Sequence, residues 1–204
     1  MTSPGACTYT AARTMQAFLV ATGTIALAEI GDKTQLLALL LATRFRKPWP
    51  IVAGIVVATL ANHLLAALAG VWLGRWLQPM WLRWALGLGF LAMALWTLKP
   101  DTADDDEQPG RWGAFLATVV AFFVAEIGDK TQIATLMLGA RFNTLWPVVA
   151  GTTLGMLIAD VPAVFLGERI TRWAPAATIR YVAAALFAVL GLATLLGAGR
   201  AFGL

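Results

Sequence analysis

The sequence repeats itself at an offset of 97 residues, and this repeat constrains the fold more than any other feature of the chain. An ungapped self-alignment at that offset places Glu29–Gln35 on Glu126–Gln132 with every residue identical. The agreement continues downstream, where Trp49-Pro50 falls on Trp146-Pro147. Two homologous halves are the simplest explanation of such long self-similarity. We therefore predict a first unit over residues 1–100, an acidic linker over 101–111 and a second unit over 112–204.

Each half contains three apolar stretches, separated by short segments that carry charged or turn-forming residues. Only 13% of the residues are charged and 59% are hydrophobic, whereas a soluble domain is usually about a quarter charged. A helix needs about 20 apolar residues to cross the hydrocarbon core of a bilayer. The sequence therefore predicts an all-α polytopic membrane protein with six transmembrane helices. We place them at about 15–42, 51–73, 83–98, 113–140, 148–166 and 179–198.

An odd number of spans in each half makes the second half enter the membrane in the opposite direction. We therefore predict two inverted three-helix repeats, an arrangement in which transporters commonly bind substrate near the midplane, between the repeats. Outside the motifs, eight Lys and Arg residues lie in the first, third and fifth loops, and five lie in the other loops and the termini. This bias favours a cytoplasmic location for the third loop, which contains the acidic run Asp104–Glu107.

The repeated motif carries two carboxylates in each half. Glu29 and Asp32 are three residues apart and share one face of a helix, and Glu126 and Asp129 repeat this spacing. Carboxylates inside a membrane are costly and usually mark an ion pathway. Converging oxygen ligands suit hard cations such as Ca²⁺ and Mn²⁺, and the single cysteine, Cys7, excludes a cysteine-based metal cluster. We predict that the four carboxylates bind a divalent cation as a substrate.

Two lysines reduce the negative charge of this predicted site. Lys33 and Lys130 each follow a motif glutamate by four residues, so we expect each to pair with that glutamate on one helix face. Four carboxylates and two ammonium groups leave a formal charge of −2, which one divalent cation or two protons would balance. An uncompensated charge is expensive in a medium of low dielectric constant. We therefore hypothesise that one divalent cation is exchanged for protons.

Further cation contacts depend on whether the motif helix is continuous. On a continuous helix Gln35 stays near Asp32 while Thr34 points away, so Gln35 and its counterpart Gln132 are candidate additional contacts. One helix over residues 15–42 would be about 42 Å long, against a hydrocarbon core of about 30 Å.

The excess length leaves two arrangements open, namely a tilted continuous helix and a helix that breaks at Gly31 and Gly128. A break would expose backbone carbonyls and could turn Thr34 and Thr131 inward.

Three polar residues outside the motifs also fall within predicted spans. Asn62 and His63 lie in the second span, and the 97-residue offset places His63 on Asp160 in the fifth. An ionisable residue at that depth usually lines a cavity or a proton path. We therefore expect Asn62, His63 and Asp160 to line the cavity or to form part of a proton path.

The segments Glu29-Ile-Gly-Asp-Lys-Thr34 and Glu126-Ile-Gly-Asp-Lys-Thr131 both match the signature Glu-x-Gly-Asp-(Lys or Arg)-(Thr or Ser) without departure. On these residues nearly the whole chain resembles the Gdt-one-type cation exporters, formerly uncharacterised protein family sixteen. The resemblance implies export of Mn²⁺ from the cytoplasm or exchange of Ca²⁺ or Mn²⁺ for protons, and bacterial members are chiefly manganese exporters. It carries the cation site over to Glu29, Asp32, Glu126 and Asp129, with Thr34 and Thr131 as contributors.

The resemblance implies no prosthetic group, and its partners are the metal ion, protons and the lipid bilayer. The arginines are dispersed between apolar runs, so the net charge of +4 does not indicate nucleic-acid binding. Because eukaryotic members usually carry a targeting extension, we expect a bacterial inner-membrane location.

Three alternatives remain. The first is an exporter of a small organic cation such as a basic amino acid, and the second is a membrane scaffold without transport. The third is a metal-dependent membrane enzyme, for which the sequence offers no evident nucleophile or histidine-rich site.

Overall fold

The computed structural model describes residues 4–76, 79–98, 113–166 and 176–196. Within these ranges the chain forms eight α-helices and no strand, which confirms the predicted all-α class. The helices are α1 (Pro4–Glu29), α2 (Lys33–Phe45), α3 (Pro48–Trp76), α4 (Pro79–Leu98), α5 (Ala114–Glu126), α6 (Lys130–Phe142), α7 (Leu145–Leu166) and α8 (Ala176–Leu195).

In the described part of the chain, three helical segments are long and apolar enough to cross a membrane, namely Pro48–Trp76, Met80–Leu98 and Leu145–Leu166. Ala114–Glu126 and Ala184–Leu195 are apolar but shorter. Large apolar side chains such as those of Leu65 and Leu95 are exposed on the outside of the bundle, as expected where lipid rather than water is the solvent. The structure therefore identifies three spans of full length, and the count of six stays a prediction.

The two motifs interrupt their helices, which decides between the two arrangements that the sequence left open. The apolar stretch 15–42 is divided between α1 and α2, and 113–140 is divided between α5 and α6. Gly31 and Gly128, the glycines of the two motifs, lie in the breaks. The helices are therefore broken at both predicted positions.

The halves pack against each other through equivalent contacts. In α7, Gly151 lies against the backbone carbonyl of Phe18 in α1, where an added Cβ atom would come within 2.5 Å of the oxygen. Gly54, its counterpart in α3, lies in the same way against Phe115 in α5, at 2.9 Å. Glycine is needed at both positions because the backbones approach so closely. Each of these two matching helix pairs therefore contains one helix from each half.

The last helices of the two halves, α4 and α8, pack against each other in opposite directions. Gly87 lies beside Gly191 and Leu195, while the ring of Phe90 stacks on that of Phe187 with centroids 6.4 Å apart. Residue numbers therefore rise along α4 as they fall along α8.

Two parts of the predicted organisation lie outside the described residues. The acidic linker 101–111 is one of them. The other comprises basic residues on which the orientation depends, namely Lys99, Arg111, Arg169, Arg172 and Arg200.

Candidate cation-binding site

Each motif folds as a tight turn between two helices. The N–H of Asp32 donates to the carbonyl of Glu29 at 3.0 Å, and the corresponding bond in the second motif is 3.1 Å. The glycine at the third position of each turn has a positive φ, 82° at Gly31 and 74° at Gly128. A type II turn requires this left-handed conformation, which favours glycine. The turn places the two acids of each motif on either side of a helix break.

The motif glutamines stabilise these turns. The side-chain oxygen of Gln35 accepts the N–H of Gly31 at 2.9 Å, and the equivalent bond of Gln132 is 2.8 Å. Their amide nitrogens reach the other half, where Gln35 donates to the carbonyl of Ala159 at 2.9 Å and Gln132 to the side chain of Asn62 at 3.4 Å. The structure gives both glutamines a bracing role, and their contact with a cation stays a prediction.

Three of the four predicted carboxylate ligands converge. Glu29, Asp32 and Asp129 each offer one oxygen, and these oxygens lie within 4.8 Å of one another. All three side chains are buried. Oxygen ligands bind Ca²⁺ at about 2.3–2.6 Å, so two ligands on opposite sides of one ion are about 5 Å apart. The three oxygens are therefore spaced to contact a single divalent ion.

The fourth predicted ligand, Glu126, does not join this group of oxygens. Its carboxylate accepts a hydrogen bond from the hydroxyl of Thr59 at 2.9 Å and lies 3.9 Å from the imidazole Nε2 of His63. Both of these residues belong to α3. Sequence reasoning missed Thr59, although its position four residues before His63 puts the two on one helix face.

The two lysines form ion pairs between the halves. Lys130 Nζ is 2.8 Å from Asp32 Oδ1, and Lys33 Nζ is 3.3 Å from Asp129 Oδ1. The expectation that each lysine pairs with its own glutamate on a continuous helix face was wrong, because the break separates glutamate and lysine into different helices. The lysines instead balance the two aspartates crosswise.

The aspartates also begin the second helix of each motif. Asp32 is the N-cap residue of α2 and Asp129 that of α6, where the positive end of the helix dipole favours a carboxylate. Asp129 accepts the N–H of Thr131 at 3.3 Å and its hydroxyl at 3.2 Å. Thr34 is fully buried, and its hydroxyl has no hydrogen-bond partner among the described residues. The hydroxyl of Thr131 donates to Asp129 and so keeps its oxygen lone pairs, and cation contact by either threonine stays a prediction.

The polar residues outside the motifs are buried around the same centre. Asn62 donates to the carbonyl of Phe123 at 3.0 Å and accepts from Gln132. His63 Nε2 lies 3.9 Å from Glu126, and Asp160 is fully buried in α7 without a hydrogen-bond partner among the described residues. The 97-residue offset thus relates two fully buried polar positions, one in each half.

Comparison with known proteins identifies the family of the chain. The family profile described as divalent cation/proton antiporter GDT1 matches the chain twice, over residues 17–105 and 114–201. The chain belongs to the GDT1 family of divalent cation/proton antiporters. The two matches to the family profile begin 97 residues apart, which is the offset that superimposes the two motifs.

Individual relatives extend over most of the chain. A Vibrio cholerae protein named "Putative manganese exporter" is 53% identical over 88% of this chain and 90% of its own length. A GDT1-like protein of Synechocystis is 32% identical over 80% of this chain and 88% of its own length. The Arabidopsis thaliana chloroplastic protein PAM71-homolog is 27% identical over 88% of this chain and 59% of its own length. No solved structure matches the chain.

Proposed function

We propose that this GDT1-family antiporter exports Mn²⁺ from the cytoplasm in exchange for protons. The observation that carries the proposal is the convergence of three buried carboxylates from both halves of the chain. The 53% identity to a protein named as a manganese exporter favours Mn²⁺ as the ion. Ca²⁺ is the second candidate, because the same oxygen ligands accept it.

We propose Glu29, Asp32 and Asp129 as ligands of the ion in this conformation, with the hydroxyl of Thr34 as an additional contact. The two aspartates are already paired with lysines, which positions their carboxylates without a bound ion. An entering cation draws the carboxylates together, and the net positive charge that it adds favours release of protons from the buried acids. This opposition of charge couples metal binding to proton release.

Two inverted repeats would supply the alternating access that exchange requires. The antiparallel packing of α4 and α8 supports the inversion, because the offset makes these helices equivalent. The matched contacts of Gly54 and Gly151 support a pseudo-two-fold relation between the halves.

In such a transporter the halves exchange roles between the inward-open and outward-open states. We propose that Glu126, which Thr59 holds here, occupies in the opposite state the position that Glu29 has in this structure.

We place the protein in the bacterial inner membrane with its central acidic loop in the cytoplasm. The excess of Lys and Arg in the first, third and fifth loops supports this orientation.

Flux measurements in proteoliposomes test the proposal. Purified protein is reconstituted into liposomes that enclose a dye whose fluorescence Mn²⁺ quenches. Mn²⁺ is then added outside, and the lumen is either at the same pH as the outer solution or more acidic. We expect the acidic lumen to accelerate Mn²⁺ entry and an ionophore that equalises the pH to abolish the acceleration. Entry at the same rate under all three conditions would contradict proton exchange.

A further inference from the structure

Asp160 is a buried acid that the motifs do not include. It lies in the middle of α7, its side chain is fully buried, and neither carboxylate oxygen accepts a hydrogen bond from any described residue. A buried carboxylate without partners is expensive, particularly within a membrane. Such a group is retained where a ligand provides the missing interactions.

The packing of α7 on α1 places Asp160 beside the carboxylate group. Gly151 lies against Phe18 and Gly155 lies against Thr22, so the two helices run side by side in the same direction. In that register residue 160 is level with the last turn of α1, which ends at Glu29.

Independent contacts agree with this register. Ala159, the residue before Asp160, accepts a hydrogen bond from Gln35 of the first motif at 2.9 Å. These contacts place Asp160 at the level of the first motif, beside the end of α1, while its oxygens lie outside the group of three that are within 4.8 Å of one another.

The carboxyl groups of Glu29 and Asp160 share an unusual property. All four of their oxygens are buried and have no hydrogen-bond partner within the described part of the chain. The aspartates of the motifs differ, because each is balanced by a lysine. With both groups ionised, Glu29 and Asp160 carry a formal charge of −2, which one divalent cation would balance.

The equivalent position in the other half is occupied differently. His63 corresponds to Asp160 by the offset, and it faces Glu126, which already accepts a hydrogen bond from Thr59. The residue equivalent to Thr59 in α7 is Met156, which offers no such donor. The two glutamates are thus identical in sequence but differ in surroundings.

We propose that Asp160 is a direct ligand of the transported cation and completes, with Glu29, Asp32 and Asp129, a site of four carboxylates. This inference rests on the proposed function, since it names a further residue of the same site. It assigns the fourth carboxylate to α7 rather than to the second motif. It also makes the site unequal between the halves, because the corresponding position in α3 is a histidine.

Binding of MnCl₂ to purified full-length protein in detergent tests the proposal, with calorimetry for affinity and thermal unfolding for stability. We expect Asp160→Asn to weaken Mn²⁺ binding by at least about tenfold, because losing even a residue that only supports a ligand costs about 10–100-fold. Without metal, the variant should unfold at the temperature of the wild type or higher, because a buried charge beside Glu29 has been removed. A purely structural role for Asp160 would instead lower the unfolding temperature.

Thr153→Val is the matched control, since it removes a buried hydroxyl without a described partner from the same helix, away from the site. It should bind Mn²⁺ like the wild type. Should Asp160→Asn fail to fold, Asp160→Glu replaces it, and we expect this variant to bind Mn²⁺ with altered affinity relative to Thr153→Val.

The outcomes separate this proposal from the proposed function. Wild-type Mn²⁺ binding together with unchanged affinity in the Asp160 variant would overturn the role of Asp160 and leave the antiporter proposal standing. Absence of Mn²⁺ binding to the wild type would overturn both.

Discussion

Replacing Lys130 with glutamine should destabilise the protein far more than the same change at Lys33, its counterpart in the other half. Lys130 Nζ is 2.8 Å from Asp32, and the two side chains are 3% and 0% exposed. Removing one partner of a buried pair costs about 3–5 kcal/mol, because the remaining charge loses the interaction that offsets its burial. We expect a loss of that size for Lys130→Gln.

The pair between Lys33 and Asp129 provides the matched comparison. Lys33 is 30% exposed and its distance of 3.3 Å is longer, so this pair is less completely buried than that of Lys130. Asp129 also keeps its two hydrogen bonds from Thr131 when the lysine is removed. For Lys33→Gln we therefore expect a smaller loss of about 1 kcal/mol, the upper end for exposed pairs.

Chemical denaturation of both variants in the same detergent measures these differences. The double variant Lys130→Gln/Asp32→Asn, which removes both charges, should recover most of the loss of the single variant, since no unbalanced charge remains. Equal losses for the two lysine variants, or a double variant less stable than Lys130→Gln, would refute the crosswise pairing.

Three further predictions follow from the same geometry. Gly128→Ala should cost about 1–2 kcal/mol in thermal or chemical unfolding, since an added Cβ atom meets nothing within 4 Å and the positive φ is the only penalty. Gly155→Ala should reduce the yield of folded protein, because its Cβ would lie 2.7 Å from the carbonyl of Thr22, whereas Gly23→Ala, which meets no atom within 4 Å, should not. Adding Mn²⁺ at 100 times its dissociation constant should stabilise the protein by about 2.7 kcal/mol in the same denaturation assay, and EDTA should reverse this. A loss of more than about 2 kcal/mol for Gly128→Ala would contradict the first prediction. An unchanged yield of folded Gly155→Ala would contradict the second, and an unfolding free energy that Mn²⁺ does not change would contradict the third.

The gathering of motif acids could be anticipated from the sequence, because identical polar segments inside apolar stretches must face one another or a cavity. The position of the break was also visible, since Gly31 and Gly128 separate the acids and the apolar stretch is longer than the membrane. Length and composition alone could not decide between breaking and tilting. The turn itself, with its i to i+3 hydrogen bond and glutamine brace, decides that question.

The ion pairs could not be derived from spacing. A four-residue interval between glutamate and lysine predicts contact only on a continuous helix, and the turn removes that condition. Once the helix breaks, each lysine contacts residues brought near by packing of the other half, which local sequence does not encode.

The difference between Glu29 and Glu126 was hidden for a related reason. Their motifs are identical, and the difference arises from α3 and α7, where the repeats diverge at Thr59 and Met156 and at His63 and Asp160. The offset aligns these positions, but only the packed structure shows that Thr59 and His63 lie beside Glu126.

The central claim is that carboxylates from both halves form one site for a transported divalent cation. Mn²⁺ flux into proteoliposomes, compared between wild type, Glu29→Gln and Asp129→Asn, tests this claim most directly, because each variant removes a charge from a different half. Reconstitution with equal amounts of protein and Thr153→Val as a control isolates the effect on transport. We predict that both site variants lose Mn²⁺ flux while the control retains it. Unchanged flux in Glu29→Gln and Asp129→Asn would contradict the site.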